Sequence, residues 1–268
     1  MGKKLMCAGV GQLNSRVAKQ WMNLSGQVVG LRRSAADISL PFEQFMVNLA
    51  HEDWPDLDAD IVVVALSAQE RTVEGYRAAY LEPIERLAKS LSSWHKLPEK
   101  VIVVSSTRVF GVEDGSLITD AKMAETANEF GEILLAMEHA VHALPVPSTV
   151  ARLSGIYGPG RDWLKRSALA ADEEAVTKNH WTNRIHIDDA ASAIIFLMQL
   201  NTLEPSYIVS DLKPMPLLDM YAYFREREGL HPLQFEMPPA GGKRLIPTRL
   251  QALGFTWEYP HAFAGGYD

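Results

Sequence analysis

A chain of 268 residues with 47% hydrophobic and 22% charged side chains can bury a large core and is unlike a disordered one. A net charge of −7 gives no global reason to expect nucleic acid or an anionic membrane as partner. The lone cysteine, Cys7, excludes an internal disulfide. No His/Cys cluster has metal-ligand spacing, and no apolar stretch reaches the roughly 20 residues that span a bilayer, so neither a metal nor a membrane is expected.

Met1 to Met6 pass directly into a strand and a glycine turn, which no secretory signal does, so a cytoplasmic protein is expected. Residues 5–8 predict the first strand, with Cys7 as a buried, inert thiol inside it. Gly9-Val10-Gly11-Gln12-Leu13-Asn14 follows at once and opens a helix over 15–24. The first glycine permits the tight turn, and the second lets backbone approach a pyrophosphate. N–H groups at the helix start then face the anion. Gly9, Gly11, Gln12 and Leu13 are therefore candidate cofactor-binding residues, with Asn14 where the usual third glycine would stand. An ordinary strand-to-helix turn is the alternative reading; the place of the motif, between the first strand and the first helix, favours binding.

The second strand, 27–31, runs into Arg32-Arg33-Ser34. An NAD site places an acidic residue here for the ribose 2′-hydroxyl. Two arginines suit a 2′-phosphate instead, so NADP is expected over NAD. The third strand, 45–49, would end with Asn48 at the adenine edge, and the fourth, 61–66, with Ala65, Leu66 and Ser67 as further cofactor contacts. Ile61-Val62-Val63-Val64 and Val101-Ile102-Val103-Val104 are continuous apolar runs, as in parallel strands covered on both faces. Helices are predicted over 73–93 and 126–144, with strands at 101–105 and 149–153. This alternation implies an α/β fold with a Rossmann-type, doubly wound parallel sheet and ligands at the carboxyl ends of its strands.

After Leu153 the pattern loosens. Gly158-Pro159-Gly160 makes a turn and 162–181 reads as an irregular or helical insert. Asp188 or Asp189 would cap a helix through 194–197. A strand at 207–209, a helix near 215–228 and a Pro/Gly-rich tail wrapping the surface complete the chain. The expected division is a dinucleotide-binding domain over 1–153 and a small C-terminal substrate lobe over 154–268, with elements returning to the main domain.

Three later segments carry a family resemblance. Ser105-Ser106-Thr107-Arg108-Val109-Phe110-Gly111 resembles the SS-x-x-V-Y-G segment of the extended short-chain dehydrogenase/reductases, the NAD-dependent epimerase/dehydratase group. Arg152 to Gly160 resembles that group's R-x-x-x-x-Y-G-P-G, and Arg184 to Ala191 contains its I-H-V-D-D-x-A. With the glycine turn, the motifs cover residues 5 to 200 in order. The resemblance implies a Tyr-x-x-x-Lys pair on the helix after the Ser/Thr strand, the tyrosine as acid/base and the lysine as its tuner.

Here the family's Y-G-x-x-K-L-x-A-E reads Phe130-Gly131-Glu132-Ile133-Leu134-Leu135-Ala136-Met137-Glu138. Gly131 and Glu138 keep the register, so Phe130 and Leu134 replace the two working groups. Glu132, two residues on, points to the opposite helix face and is a poor substitute. Ser106, at the family's Ser/Thr position, and Tyr157 are the remaining catalytic candidates. Arg161, Arg184 and His186 are candidates for an anionic small-molecule substrate, with structural roles for Tyr157 and His186 as the plainer alternative. The resemblance also implies that a homodimer could form through helices 73–93 and 126–144. Three readings stay open: an NADP(H)-dependent oxidoreductase or sugar-nucleotide epimerase with a nonstandard proton donor, a catalytically silent NADP(H)-binding sensor, and a scaffold whose vestigial site binds nothing.

Overall fold

The structure, a computed structural model, describes residues 2–172, 178–231, 233 and 238–267. Its first elements are β1 (Lys4–Ala8), α1 (Gln12–Asn23), β2 (Gln27–Arg32), β3 (Glu43–Met46) and β4 (Ile61–Val64). Then come α2 (Val73–Tyr76), a π turn (Arg77–Leu81), α3 (Glu82–Leu91), β5 (Lys100–Ser106), a 3-10 turn (Thr107–Val109), β6 (Leu117–Thr119) and α4 (Glu129–His142). The remainder holds β7 (Ser148–Leu153), β8 (Gly155–Tyr157), α5 (Trp163–Ala170), β9 (Trp181–Thr182), β10 (Arg184–His186) and α6 (Ile187–Gln199). It closes with β11 (Ser206–Val209), β12 (Met215–Pro216), α7 (Leu217–Arg227), β13 (Arg244–Ile246) and α8 (Thr248–Ala252).

Seven strands form the main sheet in the order β11-β7-β5-β4-β1-β2-β3. Pairs β1–β2, β1–β4, β2–β3 and β4–β5 are parallel. This is the doubly wound Rossmann-type order that the alternating pattern predicted. The winding reverses between β1 and β4, which opens a crevice at their carboxyl ends. Every residue of β4 is buried, which is why its sequence is apolar at every position instead of alternating.

The chain forms two compact units. One takes the residues up to Phe110 with Thr126–Arg152 and Ala191–Tyr207; the other takes Gly111–Glu125, Leu153–Ala190 and Ile208 onward. In the first, a buried polar link joins β5, α4 and β7. Arg152 grips both carboxylate oxygens of Glu138, with Nη2 2.7 Å from Oε2 and Nε 3.1 Å from Oε1, and the Ser105 hydroxyl donates to Oε1 at 2.7 Å. The second unit has an aromatic and aliphatic cluster of its own, including Tyr157, Leu164, Met220 and Phe224.

Several elements depart from the sequence-based expectation. The helix predicted over 73–93 is interrupted by the π turn. Pro83, in the first turn of α3, has no N–H to donate, and its ring would clash with the carbonyl four residues back, at Ala79. The widened turn just before it relieves that conflict. The third strand ends at Met46, so Asn48 lies in the loop beyond and does not end the strand. Its N–H donates to the Glu52 carboxylate at 2.6 Å and its carbonyl accepts from His51 and Glu52, a local turn that competes with strand extension.

Neither aspartate caps α6. The His186 ring does, its Nδ1 accepting the Asp188 N–H at 3.3 Å. Asp189 instead accepts the N–H groups of Glu258 and Tyr259, both at 2.9 Å. The tail therefore does more than wrap the surface: Ala262 is fully buried and Tyr267 stacks on Tyr157 with ring centroids 4.3 Å apart. Within the insert predicted over 162–181, Trp163–Ala170 is helical, and 173–177 lie outside the described residues.

Candidate functional site

The carboxyl ends of β1, β2 and β4 border a cavity of about 520 Å³, within the range of small-ligand sites. Of the residues expected to hold a cofactor, Gly9, Gly11, Arg32, Arg33, Asn48, Ala65, Leu66 and Ser67 all line it. The side chains of Gln12 and Leu13 do not; Leu13 turns into the core and is buried. What this stretch offers is the N-terminus of α1, where helical N–H groups lack intrahelical acceptors.

The two glycines answer to different constraints. Gly9 has φ +83°, and a Cβ there would stand 2.4 Å from the Ala65 carbonyl oxygen, so only glycine closes the turn. At Gly11 a Cβ would meet nothing within 4 Å, so that space stays open for a ligand. Asn14 takes over from the third glycine: fully buried, it donates through Nδ2 to the Ala8 carbonyl at 2.9 Å and the Val63 carbonyl at 3.4 Å. It thereby ties β1 to β4 at the crevice. These features fit the phosphates of a nucleotide.

At the end of β2, Arg32 is held in place. Its Nη1 donates to Gln44 Oε1 at 3.0 Å and its Nη2 to Ser34 Oγ at 3.1 Å. Its Nε is buried with no hydrogen-bond partner among the described residues. Gln44 is itself fixed, accepting the Asp37 N–H at 3.0 Å and donating to the Asp37 carbonyl at 2.8 Å. Arg33 is exposed beside it. Sequence reasoning missed Gln44, as it missed Gly75, Ala78, Ala79 and Pro83, which wall the cavity from the helix after β4.

Ser106 closes β5, and its Oγ accepts the Arg108 N–H at 3.2 Å. Leu134 is buried in the core, while the Phe130 ring is half-buried against Tyr76, 4.6 Å between centroids, and the Arg108 guanidinium, 5.8 Å away. Glu132 is exposed.

The other candidates belong to the second unit. Tyr157 is 1% exposed, its ring edge-on to His186 at 5.1 Å. Burial, reinforced by nearby Asp211, pushes its phenol well above the usual range. His186 is as deeply buried and lies 3.8 Å, centroid to centroid, from Tyr259. Arg184 stands on the same strand; burial pulls its guanidinium down, with Tyr267 and Asp211 opposing. Burial pushes Asp211 up to about 8, although the Arg184 charge pulls the other way. Arg161 lies in the turn after β8, its N–H donating to the Gly158 carbonyl at 2.9 Å. Among the described residues no cluster of His, Cys, Asp and Glu could hold a metal, and no helix is long and apolar enough to cross a membrane.

The cavity lies at the strand ends where a Rossmann-type fold places its ligand. A solved structure from Methylobacillus flagellatus described as an NAD-dependent epimerase/dehydratase is 30% identical over 100% of this chain and 97% of its own, with a TM-score of 0.86. The chain belongs to the NAD-dependent epimerase/dehydratase family of extended short-chain dehydrogenase/reductases. A functionally unknown conserved protein from Silicibacter pomeroyi shares 20% identity at a TM-score of 0.74, over 99% of this chain and 96% of its own. The UDP-glucuronic acid 4-epimerase of Bacillus cereus in complex with NAD shares 15% at 0.79, over 98% and 96%. These two share the fold. No family model matches the chain, and no curated protein matches it.

Proposed function

We propose that this chain binds NADP(H) in the cavity at the β1/β4 crevice and works as an NADP(H)-dependent oxidoreductase or epimerase-type enzyme whose proton donor is not residue 130. The observation that carries this is the Gly9–Gly11 turn, closed by Ala65 on one side and open to the cavity at Gly11. When bound, the dinucleotide supplies or accepts the hydride. The chain's part is to seat the pyrophosphate on the start of α1 and to hold the adenosine end between β2 and the loop at Asn48.

The preference for NADP rests on Arg32 and Arg33, since no carboxylate stands at the end of β2 to bind a ribose 2′-hydroxyl. The Bacillus cereus epimerase was solved with NAD, so this preference would set the chain apart from that protein. Arg161 and Arg184 are the cations that the second unit offers to a small anionic substrate.

A second reading, a silent NADP(H) sensor, is favoured by one observation: Leu134 is a buried core residue, so the tuner's position is given over to packing. Titration with NADPH and NADH, followed by turnover assays against carbonyl and sugar-nucleotide substrates, separates the two readings. Saturable NADPH binding is common to both, and turnover belongs to the first alone.

A further inference from the structure

In the second unit the ring of Tyr267 is matched by its surroundings and its hydroxyl is not. The ring stacks on Tyr157 with centroids 4.3 Å apart and planes 14° from parallel, and meets Phe224 edge-on at 4.7 Å. Its hydroxyl is buried with no hydrogen-bond partner among the described residues, and so is that of Tyr157. A buried tyrosine usually pairs its hydroxyl, so this contact forgoes a hydrogen bond that the phenol makes in water. The same ring closes a cleft. Lys165 of α5, Tyr223, Phe224 and Arg227 of α7 and Tyr267 itself line a cavity of about 10 Å³, room for about one water. With the Tyr267 side chain withdrawn, the cleft would gain a ring-shaped slot walled by Tyr157 and Phe224. Two cations border it: Lys165 Nζ lies 2.8 Å from Glu228 Oε1, and Arg227 Nη1 donates to the Tyr223 hydroxyl at 2.8 Å. Gly265 and Gly266 precede Tyr267 at φ +114° and +87°, a pair with the backbone freedom to swing the ring out.

We propose that Tyr267 is a displaceable plug, and that the slot it fills receives the planar ring of an aromatic phosphate whose phosphate pairs with Lys165 and Arg227. This goes beyond the dinucleotide reading and does not depend on it. An incoming ring replaces one stacking partner of Tyr157 by another, so the apolar contact is kept. The Tyr267 hydroxyl regains its hydrogen bonds in water as the ring leaves. The phosphate gains charge-assisted hydrogen bonds, for which the planar fork of Arg227 is well suited. The site is competent only while the plug is out, which weakens its apparent affinity by that fraction.

The test uses the full chain with phenyl phosphate as probe, benzyl alcohol standing for the ring alone and inorganic phosphate for the anion alone. In the wild type, saturating phenyl phosphate is expected to speed amide hydrogen exchange at 264–267. By calorimetry, Tyr267→Ala should bind phenyl phosphate about tenfold more tightly than the wild type, because the plug no longer competes. Tyr267→Phe keeps the ring and removes the unpaired hydroxyl, so it should plug more firmly and weaken binding about 3- to 10-fold. Lys165→Met with Arg227→Met should lower phenyl phosphate to the affinity of benzyl alcohol. Should Tyr267→Ala fail to fold, the exchange in the wild type and its damping in Tyr267→Phe decide the matter. Exchange at 264–267 that phenyl phosphate leaves unchanged overturns the proposal. So does benzyl alcohol or inorganic phosphate that binds as tightly as phenyl phosphate.

Discussion

Replacing Arg32 by methionine tests how this cavity chooses its dinucleotide. Methionine keeps most of the apolar stem and removes the guanidinium. In the wild type that group is already oriented, with Nη1 on Gln44 and Nη2 on Ser34, so little side-chain entropy remains to be lost on meeting a phosphate. A hydrogen bond to a charged partner contributes about 1.5–3 kcal/mol. One to two such bonds to a 2′-phosphate, weakened by exposure, correspond to a loss of roughly 10- to 100-fold in NADPH affinity. NADH, which lacks the phosphate, should bind Arg32→Met about as well as the wild type. Gln44→Leu should give a smaller loss of the same kind, because it frees the guanidinium without removing its charge. Fluorescence titration of both cofactors at low and high salt reads all of this, and salt should narrow the wild-type preference. Equal losses for NADPH and NADH in Arg32→Met would refute the assignment of this arginine to the 2′-phosphate.

Further outcomes follow from other parts of the chain. Arg152→Met leaves the Glu138 carboxylate buried with only the Ser105 hydroxyl, and thermal unfolding should show a loss of about 3–5 kcal/mol; a loss below about 1 would mean that the link contributes little. Asp211 titrates near 8 when folded against 3.8 as a model group, so the folded state holds the extra proton and stability falls as pH rises from about 4 through about 8. Asp211→Asn should remove that fall, gaining on the wild type by up to about 5 kcal/mol toward pH 8; parallel pH profiles of the two proteins would contradict it. Phe130→Tyr with Leu134→Lys returns a phenol and an ammonium one helical turn apart, and turnover that appears only in this double variant would favour the silent-sensor reading of the wild type.

The sheet was legible because its signals are local. Four consecutive apolar residues in β4 can only be covered on both faces, and a glycine pair straight after a strand has few other uses. Phe130 and Leu134 were placed by register with Gly131, which packs close on Thr126, and Glu138, the partner of Arg152. Gln44 was not legible, since its partner Arg32 is brought near by the pairing of β2 with β3, and a polar residue on an edge strand looks unremarkable in sequence. Asp189 looked like a helix cap because caps are recognised by spacing, whereas its partners at Glu258 and Tyr259 lie about 70 residues on. The π turn needed Pro83 to be read as a conflict inside a helix and not as a residue of its first turn. Tyr76 reads as an ordinary helix position, and only the packing of α4 on α2 brings Phe130 onto its ring.

A dinucleotide on the glycine turn is tested most directly by calorimetric titration of NADPH into the wild type and Gly11→Leu. A Cβ at Gly11 would meet nothing within 4 Å, so a leucine's side chain has room to begin there and enter the pyrophosphate's path. Saturable one-to-one binding to the wild type, in the micromolar range or below, is expected, and none to Gly11→Leu that circular dichroism shows to be folded. Wild-type protein that takes up neither NADPH nor NADH at millimolar concentration, or a Gly11→Leu variant that binds NADPH as tightly as the wild type, would contradict it.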